Sequence, residues 1–233
     1  MIINGFNGTS VIDFPGKITA IVYTSPCNFK CPYCHNKDLV DKNIKTLDTD
    51  YILSEIENRK NFIDAVTLTG GEPSLHKDIV DFALKIKKYG LLVKLDTNGH
   101  KPEVIEEMTE KKAVDYFAMD IKSSPEKYSM AAGAEVDLEK ILRSITLIMN
   151  SGIHYEFRTT VVPGLVNEED IEKICGIIKG AEKYILQQYS NENTYKKMMR
   201  AVEPYSYETI EAMAETAEKY IPEVKVYNAE KVG

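Results

Sequence analysis

Cys27, Cys31 and Cys34 stand in the run Ser25-Pro26-Cys27-Asn28-Phe29-Lys30-Cys31-Pro32-Tyr33-Cys34-His35-Asn36, three thiols within eight residues at the spacing C-x3-C-x2-C. Thiolates are soft ligands, and three of them can hold only three irons of a four-iron, four-sulphur cluster. One iron would then stay open to a ligand from outside the protein. That open iron would be a place for chemistry rather than a structural staple.

Parts of the same run match other motifs. Cys31-Pro32-Tyr33-Cys34 is a C-x-x-C, the spacing of thioredoxin-like redox pairs, although Cys27 has no role in that reading. With His35 it becomes C-x-x-C-H, the attachment pattern of c-type haem. Haem attachment goes with export, and Met1 to Thr9 has no basic region followed by an apolar stretch. Structural zinc needs four closed ligands, and the nearest fourth candidate, His35, is adjacent to Cys34, where joint chelation is awkward. The readings are separated by what surrounds the run.

The frame is that of a soluble globular chain. Its 233 residues suffice for one α/β domain, with 43% hydrophobic and 28% charged residues and no apolar run long enough to span a bilayer. A net charge of -7 gives no electrostatic case for nucleic acid. The expected location is cytoplasmic. Lys30 and Lys37 flank the cysteines, and are read either as solvated loop lysines or as a patch that steers an acidic electron donor. The fourth thiol, Cys175, falls on the apolar stripe of a helical pattern with Ile171, Ile174 and Ile178, so it is expected in the core and outside any cluster.

Elements that could position these groups alternate along the chain. Strands are expected at 17–24, 64–69, 91–96, 114–121, 153–162 and 184–188, with helices at 48–60, 76–89, 102–112, 137–150, 168–179 and 207–220. Six such units imply a parallel sheet with helices outside, either open and doubly wound or curled into a partial barrel. In both, ligands bind at the carboxyl ends of the strands. The polar residues obey that rule: the three cysteines follow strand one, Gly70-Gly71-Glu72-Pro73 follows strand two and Asp96-Thr97-Asn98-Gly99 strand three, while Asp120 and Lys122 end strand four and Arg158 lies late in strand five. The expectation is a single domain over 1–233, with an N-terminal extension at 1–16, a core at 17–188 and a C-terminal segment with a helix at 189–233.

The cysteine run with Gly70-Gly71-Glu72-Pro73 resembles the radical S-adenosylmethionine (SAM) superfamily. Asp96-Thr97-Asn98-Gly99, Asp120-Ile121-Lys122 and Arg158-Thr159-Thr160-Val161-Val162-Pro163-Gly164 are similar to the activating enzymes of glycyl radical enzymes. The opening stretch, Gly5-Phe6 and Ser10-Val11-Ile12-Asp13-Phe14-Pro15-Gly16, is most similar to the activating proteins of anaerobic ribonucleoside-triphosphate reductase. The resemblance implies a partial (β/α)6 barrel of TIM type. It implies a [4Fe-4S] cluster on Cys27, Cys31 and Cys34, with SAM on the open iron through its amino and carboxylate groups.

It also implies roles for the remaining residues. Gly70 and Gly71 would let the backbone approach the ligand, Glu72, before Pro73, would receive the methionyl ammonium, and Lys122 and Arg158 would neutralise the carboxylate. Tyr33 would lie beside the adenine or pack on the barrel rim, and Asp120 would meet the sulphonium end or the incoming substrate backbone. Asp96 and Thr97 would offer oxygens to a monovalent cation, or simply form a turn with Asn98-Gly99. The implied partners are a glycyl radical enzyme, entering at the open side of the barrel, and a flavodoxin or ferredoxin-type electron donor. One departure stands out: formate-lyase activators have a histidine after the sixth strand, where this chain reads Leu186-Gln187-Gln188-Tyr189-Ser190. A pyruvate formate-lyase-type activating enzyme, a small-molecule radical SAM enzyme and a zinc- or cluster-binding module without turnover are the alternatives.

Overall fold

The computed structural model describes residues 1–40 and 45–229. One eight-stranded sheet runs in simple sequence order, from β1 (Ile3–Ser10) and β2 (Thr19–Thr24) through β3 (Ala65–Gly70), β4 (Leu92–Thr97), β5 (Tyr116–Asp120), β6 (His154–Val161) and β7 (Lys183–Gln188) to β8 (Glu223–Tyr227). The pair β1 and β2 is antiparallel and the six following pairs are parallel. The sheet curls without closing, so β1 and β8 are its edges. This is the expected partial barrel, with all six expected strands in place within a few residues.

Two strands escape the sequence reading. Residues 1–16, expected as an extension, supply β1, and the segment after 188 supplies β8 as well as its expected helix. The last four residues of that segment, 230–233, lie outside the described part of the chain. β1 reads Ile-Asn-Gly-Phe-Asn-Gly-Thr-Ser, whose glycines and asparagines are poor strand formers. Pairing with β2 overrides that local preference.

The helices cover the outer face of the sheet: α2 (Thr49–Arg59), α3 (Ile79–Lys88), α4 (Pro102–Glu110), α6 (Leu138–Asn150), α7 (Glu168–Ile177) and α8 (Tyr207–Glu218), with short α1 (Lys37–Val40) and α5 (Tyr128–Ala132) between them. Capping sets several starts. Asp48, Asp137 and Ser206 accept from backbone N–H groups of the first turn, and Asn167 with Asp170 forms a reciprocal capping box at α7. Cys175 is fully buried on α7, as its helical position predicts.

Side chains alternate across the strands, as the two-residue period requires. Val66, Leu68, Val93, Leu95, Phe117, Met119, Phe157, Tyr184 and Leu186 join the core under the helices. At the amino end of the strands Phe14 packs with Ala65 and Tyr116 in a small separate cluster. Much of the remaining inward surface is polar.

Candidate active site

The cysteine loop follows β2 directly and is pinned from several sides. The backbone N–H of Ser25 donates to the Ile2 carbonyl at 3.2 Å, that of Lys30 to Ala132 at 2.8 Å, and those of Tyr195 and Lys196 to Cys34 and Pro32 at 3.0 and 2.9 Å. The polar run after β7 therefore borders the site by backbone hydrogen bonds to the cysteine loop. Beneath the loop lie Gly70 and Gly71, with Gly71 N–H donating to Thr24 at 2.8 Å and Glu72 N–H to Pro26 at 3.1 Å.

Both glycines line the cleft, and they also answer a second requirement. A Cβ on Gly70, whose φ is +116°, would come within 2.5 Å of the Thr24 nitrogen, and one on Gly71 within 2.7 Å of the Pro26 carbonyl. The close approach is between two protein backbones. Side chains here would lift the cysteine loop off the sheet.

Glu72 is 1% exposed and serves as a bracket between strand ends. Its Oε1 accepts from the Ser74 N–H, the Ser74 hydroxyl and the Thr97 hydroxyl at 3.1, 2.6 and 2.8 Å, and its Oε2 from the Asn98 N–H at 2.6 Å. A carboxylate oxygen has about two acceptor positions, so Oε2, with a single donor, keeps one to offer to the cleft that Glu72 lines. Burial pushes its carboxyl up, against the pull of these donors. Thr97, expected as a cation ligand, here braces Glu72 and also accepts from Gly99 N–H.

A cleft of about 270 Å³ collects the polar strand ends. Every residue expected at the site lines it except Pro73, which is buried behind the cleft and opens a 3₁₀ turn. The cysteine thiols are free, with Cys31 buried and Cys27 and Cys34 half-buried. Burial pushes the Cys27 thiol up to about 12, assisted by the neighbouring Glu72, and raises Cys31 and Cys34 as well. Lys122 opposes the shift at all three, so one ammonium favours the thiolate form throughout the loop. Tyr33 is 5% exposed beside Cys31 and lines the cleft rather than an outer rim.

An alternating row of charges crosses the inner face of β4, β5 and β6. Lys94 Nζ lies 2.6 Å from Asp96 Oδ1, Arg158 Nη1 3.4 Å from Asp96 Oδ2, Arg158 Nε 2.8 Å from Asp120 Oδ1, and Lys122 Nζ 3.0 Å from Asp120 Oδ2. Asp120 and Arg158 are direct register partners across β5 and β6, which settles that Arg158 points inward. Burial alone would raise the Asp120 carboxyl, yet Arg158 and Lys122 hold it well below the usual range. Burial would likewise lower Lys122 and Arg158, and Asp120 more than reverses this. Three cations and two carboxylates alternate along this row; Asp96, Asp120, Arg158 and Lys122 line the cleft and Lys94 does not, so Arg158 and Lys122 are the row's cations available to an anionic group there.

Both oxygens of Asp96, expected to hold a monovalent cation, thus already face side-chain cations. The three thiols of one loop share the cleft with Arg158 and Lys122, a donor set suited to an iron-sulphur cluster with an anionic ligand on its open iron.

Several lining residues escape the sequence reading. Asn98, read as part of a turn, donates its amide to Asn28 Oδ1 at 2.8 Å and lies 3.9 Å from Cys27 Sγ. Thr69, Thr160 and Gln187 also line the cleft, Gln187 from within β7. All but Asn98 sit on inward strand positions. The strand-end rule combined with alternation was the signal available for them.

Comparison with known proteins agrees with this geometry. The family model of the radical SAM superfamily matches residues 21–177. Over 230 residues the chain is 35% identical to MJ1227 of Methanocaldococcus jannaschii, provisionally named a glycyl-radical enzyme activating enzyme, covering 97% of this chain and 95% of that protein. It is 28% identical to pyruvate formate-lyase 1-activating enzyme of Escherichia coli K12, covering 94% and 95% of the two chains. Among solved structures, Streptococcus suis SuiB bound to S-adenosylmethionine superposes with a TM-score of 0.71 at 14% identity, over 88% of this chain and 49% of SuiB. The present chain spans about half the length of SuiB, and that likeness is one of fold. The chain belongs to the radical SAM superfamily, among its glycyl-radical enzyme activating enzymes.

Proposed function

We propose that this protein binds a [4Fe-4S] cluster and SAM and generates a glycyl radical on a partner enzyme, with anaerobic ribonucleoside-triphosphate reductase as the preferred target. The observation that carries the reading is the convergence, in one cleft, of three thiols from one loop with Asp96, Asp120, Lys122 and Arg158 from three neighbouring strand ends. When bound, the cluster and SAM supply a one-electron cleavage to methionine and a 5'-deoxyadenosyl radical, which takes a hydrogen atom from the target glycine.

The chain's own residues bind and orient. Cys27, Cys31 and Cys34 hold the cluster, and Lys122 stabilises their thiolates. Arg158 and Lys122 attract the ligand carboxylate, while the spare acceptor position of Glu72 takes its ammonium. Tyr33 lines the adenine side, and Asp120 fixes the two cations that flank it. Gly70 and Gly71 keep the cysteine loop seated.

The choice of target rests on the opening stretch and on the stretch Leu186-Gln187-Gln188-Tyr189-Ser190, which lacks the histidine of the formate-lyase activators. A second cavity of about 600 Å³, lined by Val11, Ile12, Lys94 and Tyr227, shares Arg158 and Gln187 with the cleft. This supports entry of a protein loop from the open side. For the electron donor, a flavodoxin or ferredoxin-type carrier suits a basic collar in an acidic protein: Lys30, Lys196, Lys197 and Arg200 are exposed around the cysteine loop, with Met198 76% exposed among them. Charge reversal at Lys30 and Lys37 then slows reduction by the carrier and spares reduction by dithionite.

Anaerobic reconstitution with iron and sulphide, reduction, and addition of SAM with each candidate partner tests the assignment. The expected result is 5'-deoxyadenosine together with the doublet paramagnetic resonance of a glycyl radical on the reductase. Absence of 5'-deoxyadenosine under every reducing condition overturns the enzyme reading; a glycyl radical on formate-lyase alone overturns the target.

A further inference from the structure

Lys94 lies in the middle of β4, on the inward face, with its side chain only 3% exposed. Lysine is among the residues least often buried, and it is buried when paired. Its partner is Asp96 Oδ1 at 2.6 Å. The other oxygen of Asp96 accepts from Thr69 Oγ1 at 3.2 Å and Arg158 Nη1 at 3.4 Å. Arg158 spans the gap to Asp120, whose second oxygen is taken by Lys122.

A hard monovalent cation is held by several oxygens whose lone pairs are free to turn towards it. Here both oxygens of each carboxylate face nitrogen cations, and Arg158 stands between the two carboxylates. Thr97, the other expected ligand, directs its hydroxyl to Glu72. The residues present therefore do not fit a metal ion at Asp96.

We propose that the Lys94 ammonium is the built-in cation of this site. It neutralises Asp96, so that Arg158 is not drawn wholly onto that carboxylate and keeps donor capacity for the carboxylate of the bound ligand. Lys94 is a positioning residue, acting through Asp96 and Arg158. Ligand binding in this protein is consequently indifferent to sodium and potassium. The ligand half of the inference rests on the proposed binding of SAM; the exclusion of the metal ion from Asp96 does not.

The test measures the SAM dissociation constant of the reconstituted protein by titration calorimetry, in tetramethylammonium chloride and in potassium chloride at equal ionic strength. The wild type is expected to give the same constant in both. Lys94→Met is expected to bind about tenfold more weakly in tetramethylammonium and to recover in potassium, while Lys94→Arg stays cation-indifferent. Crystals of the ligand-free protein soaked in thallium(I) supply a second readout: no anomalous peak at Asp96 in the wild type and a peak there in Lys94→Met. A wild-type constant that tightens with potassium, or a thallium peak on wild-type Asp96, overturns the proposal. A Lys94→Met protein indifferent to potassium overturns it too. Failure of SAM to bind in any salt counts against the proposed function instead, and the thallium experiment still decides the role of Lys94. If Lys94→Met does not fold, the wild-type measurements decide alone.

Discussion

The two faces of the sheet are built from the same strands and obey opposite chemistry. On the outer face Val66, Leu68, Val93, Leu95, Phe117 and Phe157 are wholly buried under the helices. On the inner face Thr67, Lys94, Asp96, Asp120, Glu156, Arg158 and Lys183 form hydrogen bonds and ion pairs with one another or with the loops. Removal of apolar surface from water favours folding at about 25 cal/mol per Å². Paired charges taken from water roughly break even against the apolar residues that could replace them. The outer face therefore holds the protein together, whereas the inner face contributes little net stability and arranges the site. Substitutions on the two faces should separate stability from chemistry.

The largest separation is expected at the cysteines. Replacing any one of Cys27, Cys31 or Cys34 by alanine should abolish 5'-deoxyadenosine formation and cluster absorbance while the thermal midpoint of the apo chain barely moves. Residual turnover with two thiols would break the assignment of the inner face to chemistry. Next comes Phe157→Ala, which opens a cavity beside Tyr155, whose ring centroid lies 5.3 Å away. It should cost about 3–5 kcal/mol of unfolding free energy, read from urea titrations, with turnover per folded molecule unchanged.

Asp120→Ala should affect both properties, more modestly. It leaves Arg158 and Lys122 without their shared carboxylate, at a cost of roughly 2–3 kcal/mol, and it weakens SAM binding by letting both cations drift. A loss of stability with unaltered SAM affinity would show that the row of charges is structural only.

The smallest effect concerns pH and sharpens the contrast within the inner face itself. Asp120 has its carboxyl held below the usual range, so its contribution to apo-chain stability is present above about pH 4 and is lost as pH falls through the depressed value. Glu72 has its carboxyl raised by burial, so its contribution is full below about pH 4 and is lost as pH rises through the raised value. Urea midpoints of wild type against Asp120→Asn should converge as pH falls. Against Glu72→Gln, the wild-type advantage should shrink as pH rises. Parallel trends for the two variants would contradict the opposite environments of the two carboxylates.

Much of the site was legible in the primary structure because its chemistry is local. Cys27, Cys31 and Cys34 share one loop, Gly70 to Pro73 another, and the rule that ligands gather at strand carboxyl ends links the loops before any coordinates exist. The six parallel strands followed from apolar runs bounded by glycines and amphipathic helices. β1 was not legible, since its glycine-rich stretch acquires strand structure only by pairing with β2, and β8 alternates half-buried and exposed positions at a sheet edge. Asn98 had the appearance of a turn residue, and its grip on the cysteine loop spans 70 positions.

The sequence by itself determined which thiols can bind metal, which loops must meet them and the family to which the chain belongs, because residue type and spacing within a loop decide ligand chemistry. Only the tertiary structure decided that Gly70 and Gly71 make room for protein backbone, that Arg158 faces inward, and that Lys94 occupies the carboxylate expected to hold a metal ion. Alternation says which residues share a face; register between strands says which of them touch. That register is set by the packing of the whole sheet against its helices.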